Sequence, residues 1–200
     1  MGQLSILDPK FKERQARAKK IVAWLKKEYP EPKTELAYDP KYPFQLVASV
    51  IMSAQSTDKA VNRLTEGLWK KYKTVDDFSD ANLATFTNEL SSITFYQNKA
   101  RHIIGAAQFV RDQYGGRIPK TIDELTKLPG VAYKTANVVL GELYHIWDGI
   151  PTDTHVRRFA LRFDLTDNKD LTKISKDLEA LIPKEDWKYV NNGLVLYGRY

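Results

Sequence analysis

Apolar residues recur along this chain at helical spacing, and no stretch shows convincing strand alternation. From Phe11 to Tyr29, Ile21, Val22, Leu25 and Tyr29 form one stripe while Lys19, Lys20, Lys26 and Lys27 face water; Pro30-Glu31-Pro32 stops the helix. Pro43 to Ala54 is apolar nearly all round, which predicts a buried central helix with Pro43 in its first turn. Thr57-Asp58 caps a helix to about Tyr72, and Ser79-Asp80 is read as the cap of another reaching Leu90. Tyr96 to Tyr114 is closed by Gly115-Gly116. Thr121 caps a short helix to Lys127, whose Asp123 and Glu124 complement its dipole. A tight turn over Leu128–Val131 leads into a helix from Ala132 to His145, and helices around 154–163, 170–181 and 185–197 complete an all-α pattern.

No internal repeat, low-complexity tract or linker interrupts this pattern. Trp147-Asp148-Gly149-Ile150-Pro151 is the best internal boundary. At 200 residues and 42% hydrophobic, the chain suffices for one sizeable core or two small ones. Its 31 Lys plus Arg against 25 Asp plus Glu give a net charge of +6, which favours a polyanionic partner, nucleic acid first, without requiring one. The absence of cysteine excludes a disulfide, a thiolate zinc site, a cysteine nucleophile or a cysteine-ligated iron–sulfur cluster within these residues, and fits a cytoplasmic protein. The first residues, Met1 to Leu7, are too short in apolar length for a signal peptide, Ile6 stands where a myristoylation signal prefers Ser or Thr, and no run approaches the roughly 18 apolar residues of a membrane span.

The chemistry concentrates in two segments. Leu128-Pro129-Gly130-Val131-Ala132 is an apolar-Pro-Gly turn between two helices, with Leu128 and Val131 as core anchors and Gly130 permitting close approach. Backbone N–H groups at the start of the second helix lack a side-chain acceptor and suit a phosphate. The spacing matches a helix-hairpin-helix over about 121–145, although an ordinary helical corner shares it. Lys134 follows inside the apolar run Val131 to Leu140; partial desolvation there would favour a neutral, nucleophilic amine. Asp153 lies nineteen positions on, between Thr152 and Thr154, where it suits either an N-cap or a carboxylate stabilising positive charge on a deoxyribose ring. The break at 147–151 falls between the two, so they are expected to meet across a cleft.

At these residues the sequence resembles the endonuclease III family of the helix-hairpin-helix DNA glycosylase superfamily. The resemblance runs over Pro43-Phe44-Gln45-Leu46, Met52-Ser53-Ala54-Gln55-Ser56-Thr57-Asp58 with Val61-Asn62, Phe95-Tyr96 with Lys99-Ala100, Leu128–Val139, Asp153-Thr154-His155 and Leu196-Tyr197-Gly198-Arg199-Tyr200. It implies a two-lobe all-α fold: a six-helix barrel over 37–147 and a second domain from 1–36 plus 148–200, with duplex DNA in the cleft. It further implies a monomeric, bifunctional enzyme that excises oxidised pyrimidines of the thymine glycol type and nicks the abasic strand by β-elimination. Lys134 matches the family's Schiff-base lysine and Asp153 its catalytic aspartate. Relatives that remove adenine opposite oxidised guanine have a serine at the lysine position, and thymine-mismatch relatives a tyrosine. Gln55 matches the glutamine that fills the gap left by an extruded base, and Phe95 stands where the family has a wedge, commonly aliphatic. Asp58 matches a pocket carboxylate, His155 is a candidate phosphate or sugar contact, and Lys99 and Arg101 are expected phosphate contacts; His102 and His145 read as ordinary surface or helix-end residues.

One departure concerns the cofactor. The family continues past Gly-Arg-Tyr into a loop whose four cysteines hold a [4Fe–4S] cluster, whereas these residues end at Tyr200 without cysteine, so the cluster cannot form within them. A cluster-free member and a shortened chain both fit, and the expected cofactor set is empty apart from a monovalent cation that hairpin carbonyls would suit. A smaller departure is Ala132, where the hairpin often has glycine. Two other readings are a glycosylase for mismatched or other bases and a non-catalytic helix-hairpin-helix DNA-binding module.

Overall fold

The computed structural model describes residues 9–199, so Met1–Asp8, with the N-terminal readings above, and Tyr200 lie outside the described residues. Its elements are α1 (Phe11–Glu28), α2 (Phe44–Ser53), α3 (Asp58–Lys71), α4 (Val75–Ser79), α5 (Leu83–Glu89), α6 (Tyr96–Tyr114), α7 (Ile122–Leu125), α8 (Tyr133–Tyr144), α9 (Thr154–Arg162), α10 (Leu171–Leu181) and α11 (Leu194–Arg199). A 3-10 turn at Lys184–Asp186 and a π-helical turn at Tyr189–Gly193 separate the last two helices. Among the described residues there is no strand, as the helical periodicity predicts. None of the described helices is long and apolar enough to cross a membrane.

The chain forms two units, Glu35–His145 and a second built from residues up to Thr34 together with those from Ile146 onward. In the first, α2 is the axis of the core: Phe44 to Met52 are all buried. Around it pack Ala100, Ile103, Ala107 and Val110 of α6 and Ala136, Val139 and Leu140 of α8. Phe78 lies against Phe44 and Tyr72, with ring centroids 5.0 and 5.4 Å away. Gln45 is buried without penalty because its amide accepts from the Asp39 N–H and donates to the Tyr72 carbonyl.

The segment before α6 departs from the sequence reading. Ser79 and Asp80 end a helix instead of starting one. Thr74 and Asp77 form a capping box, each side chain accepting from the other's backbone N–H, and this nucleates α4. Asn82 then caps α5, accepting from the Thr85 N–H.

In the second unit, α1 buries Phe11, Ala18, Val22 and Leu25 among Val156, Phe159, Ile174, Leu178 and Leu194. Arg14 shares that face and is completely buried, its Nη2 2.8 Å from both Asp164 and Asp167 carboxylates. The helix predicted over 185–197 is broken. Asn191 donates to the Gly149 carbonyl and Asn192 to the Pro32 carbonyl, fastening the π-helical turn on both sides.

Candidate active site

The hairpin of the Glu35–His145 unit runs from α7 through residues 126–132 into α8. Thr121 caps α7, accepting from the Glu124 N–H. Leu128 and Val131 are buried anchors, and the Val131 N–H closes the turn onto the Leu128 carbonyl at 3.1 Å. Gly130 is exposed at φ 77° and sits under α6: a Cβ there would lie 2.8 Å from the His102 Cβ. Gly105 of α6 faces Pro129 at ordinary contact distance. The backbone could not lie this close to α6 with any other residue at 130.

α8 starts one residue later than the sequence reading. Ala132 is extended, exposed and gives no side-chain cap, so the first-turn N–H groups facing out of the helix belong to Tyr133, Lys134 and Thr135. The Val131 N–H is engaged in the turn. An extended, uncapped Ala132 also explains why alanine is accepted where glycine is common.

Lys134 is the second residue of α8 and is exposed. Its apolar neighbours do not cover it: Ala136, Val139 and Leu140 are buried on the opposite half of the helix, roughly 140–240° round from Lys134 at about 100° per residue. Asp153 belongs to the other unit and is the N-cap of α9. Its Oδ1 accepts from the N–H groups of His155 at 2.9 Å and Val156 at 3.0 Å. The Thr152 hydroxyl donates to the Ile150 carbonyl. His155 is exposed, its Nδ1 3.3 Å from Arg158 Nη2.

Gln55 and Phe95 come from distant parts of the sequence but lie on adjoining turns. Both are exposed, Phe95 at 61%, and both hold left-handed backbone, φ 56° and 54°. The Thr94 hydroxyl donates to the Gln55 carbonyl at 2.6 Å. Asp58 is half-buried in the first turn of α3.

Lys99 requires a correction. It is 5% exposed, and its Nζ donates inward to the Met52 carbonyl at 2.8 Å and the Ser56 hydroxyl at 3.1 Å, so it does not present a charge to a phosphate. Burial pushes its pKa down. The signal was in the sequence: positions 99, 103, 106 and 110 share one stripe, and the other three are apolar. Arg101 is exposed. His102 proves to be part of the hairpin's support, and Ser56 and Thr94, which sequence reasoning passed over, tie the two exposed turns together. His145 is the left-handed C-cap of α8.

With no cysteine, these residues offer no ligand set for a four-thiolate cluster.

Residues 48–184 match the model of the HhH-GPD superfamily base excision DNA repair proteins. The chain is 37% identical to the endonuclease III of Synechocystis sp. over 98% of its own length and 89% of that protein's. It is 39% identical to the endonuclease III of Bacillus subtilis over 86% of its own length and 78% of the relative's. Its structure is similar to that of a trapped covalent intermediate of an endonuclease III with DNA, with an estranged adenine, at a TM-score of 0.85 and 35% identity; the match covers 93% of this chain and 86% of that one.

Proposed function

This chain belongs to the HhH-GPD superfamily of base excision DNA repair proteins, within the endonuclease III family, and we propose that it is a bifunctional DNA glycosylase and abasic-site lyase. The observation that carries the reading is Lys134: an exposed amine in the first turn of an uncapped helix, directly behind the Pro-Gly hairpin, where the sequence resemblance assigns the family's nucleophile. A passive phosphate clamp has no use for an amine there. The hairpin N–H groups and the basic charge hold the DNA backbone.

In the proposed reaction Lys134 Nζ attacks C1′ of the damaged nucleoside. The glycosidic bond breaks, and the base leaves with its electron pair and takes up a proton. Opening of the sugar, with O4′ becoming a hydroxyl, gives a protonated Schiff base. Loss of a C2′ proton then expels the 3′ phosphate by β-elimination, and water hydrolyses the imine to free the lysine. Asp153 supplies the carboxylate that stabilises positive charge developing on the sugar. Its two backbone N–H donors fix the position of that carboxylate at the start of α9.

The substrate class proposed is duplex DNA carrying an oxidised pyrimidine such as thymine glycol, or an abasic site, acted on by a monomer. The target base must leave the stack, and Gln55 and Phe95 are assigned to fill and prise the gap. The test is a thymine glycol duplex incubated with the 200-residue chain, with free base and the nicked strand quantified separately. Both products should form, and Lys134→Gln should give no nick while binding DNA. Nicking by Lys134→Gln at the wild-type rate would remove Lys134 from this role.

A further inference from the structure

Gln55 and Phe95 keep conformations that L-residues seldom adopt, on turns with open solvent around them. Strain of that kind, on the order of 1–3 kcal/mol for each residue, persists only where surrounding bonds over-determine it. Here those bonds form one directed chain. Lys99 Nζ donates to Ser56 Oγ at 3.1 Å. Ser56 and Thr94 hydroxyls lie 2.9 Å apart, and the Thr94 proton is committed to the Gln55 carbonyl at 2.6 Å. The hydroxyl of Ser56 must therefore donate to Thr94, and every hydroxyl in the series donates once and accepts once. A cation at the head of such a series polarises each bond in the same direction.

The other end of the ammonium is as specific. Met52 is one residue from the end of α2, where carbonyls lack helical partners, and Lys99 donates to its carbonyl at 2.8 Å. Lys99 itself lies in the first turn of α6, and its N–H donates to the Phe95 carbonyl at 3.0 Å. One residue thus bonds to the end of α2 by its side chain, to the Phe95 turn by its backbone and, through two hydroxyls, to the Gln55 turn. An apolar side chain would satisfy the stripe of Ile103, Ala106 and Val110 without the cost of a buried charge.

We propose that Lys99 is a positioning residue that, through Ser56 and Thr94, locks the Gln55 and Phe95 turns into one preset unit for entering a DNA duplex. The inference rests on the reading of Gln55 and Phe95 as gap-filler and wedge. Lys99 touches no substrate; its effect is confined to substrates whose base must be extruded.

The test uses the full chain with Lys99→Met and Thr94→Val, the latter at an exposed side chain. Single-turnover base release from a thymine glycol duplex is compared with nicking of a single-stranded abasic oligonucleotide, which needs no extrusion. Both variants should lose about 10- to 100-fold on the duplex, as a small misplacement of a positioning group does. Nicking of the single strand should change by less than about twofold, since the catalytic pair is untouched. The fluorescence rise of 2-aminopurine opposite the lesion should shrink in both. Phe95→Ala combined with Lys99→Met should be no worse than Phe95→Ala alone, because the two act as a unit. Unchanged duplex rates in Thr94→Val, or equal losses on the two substrates, would overturn the inference. A wild-type chain that fails on both substrates would instead defeat the proposed function itself, and the inference with it.

Discussion

Replacing Gly130 by alanine tests the hairpin more sharply than any loss of charge. Two costs add. At φ 77° a Cβ meets the following carbonyl, about 1–2 kcal/mol. The new Cβ would also lie 2.8 Å from the His102 Cβ and 3.0 Å from its Cγ and Nδ1, and overpacking of this kind costs about 1–3 kcal/mol. The total is about 3 kcal/mol of stability in urea unfolding, with weaker DNA binding by fluorescence anisotropy because the turn must move away from α6. The nearest atom is a Cβ, which fixes how the cost is relieved. His102→Ala removes the ring but keeps the 2.8 Å contact, whereas His102→Gly removes both. In a double-mutant cycle the coupling of Gly130→Ala must be larger with His102→Gly than with His102→Ala. A Gly130→Ala variant within about 0.5 kcal/mol of wild type, or equal coupling in the two cycles, would refute the packing argument.

Asp153→Asn separates capping from catalysis: asparagine caps as well as aspartate, so the melting temperature should barely change, while single-turnover base release at pH 7 slows; an unchanged rate would leave Asp153 as a cap alone. Arg14 holds Asp164 and Asp167 below the usual carboxylate range by hydrogen bonds. The unfolded state therefore binds more protons in acid, and this stability, present above about pH 4, is lost as pH falls through the lowered pKa values. Arg14→Met should flatten that acid limb in urea titrations and cost about 1–3 kcal/mol at neutral pH; an unchanged limb would sink the assignment. Burial, with a hydrogen bond to Glu89, pushes the Tyr72 phenol up to about 12. Stability from this group is complete below the unfolded tyrosine value and falls as pH rises toward 12, so Tyr72→Phe should remove one late-titrating phenolate from the ultraviolet difference spectrum. A spectrum with its latest step intact would mean that another tyrosine is the one held back.

Periodicity and caps carried most of the fold. α2 is legible because an all-round apolar helix has nowhere to go but the core. α1 and α6 are legible from their stripes, and Asp153, which the sequence offers as a cap, does cap α9; the cap of α10, Asp170, accepts from the Lys173 N–H. α4 was missed because five residues are too few for a period; its signal is the Thr74/Asp77 box alone. The π-helical turn was invisible, since it depends on Asn191 and Asn192 finding carbonyls at Gly149 and Pro32, far away in sequence. At the site, the order of motifs picked out candidate residues, but their environment had to come from three dimensions. Apolar neighbours in sequence suggested a desolvated Lys134, and helix geometry put them on its far side. The left-handed backbone of Gln55 and Phe95 has no composition signal, because neither is the residue a turn of that kind ordinarily selects.

Borohydride trapping reads the Lys134 Schiff base itself. The 200-residue chain is incubated with a thymine glycol duplex or an abasic duplex and reduced in place, with Lys134→Gln as control. A lysine that forms a Schiff base gives a protein–DNA adduct on both substrates, and the control gives none. An adduct that persists in Lys134→Gln, or no adduct from a wild-type chain that binds both duplexes, would contradict the account.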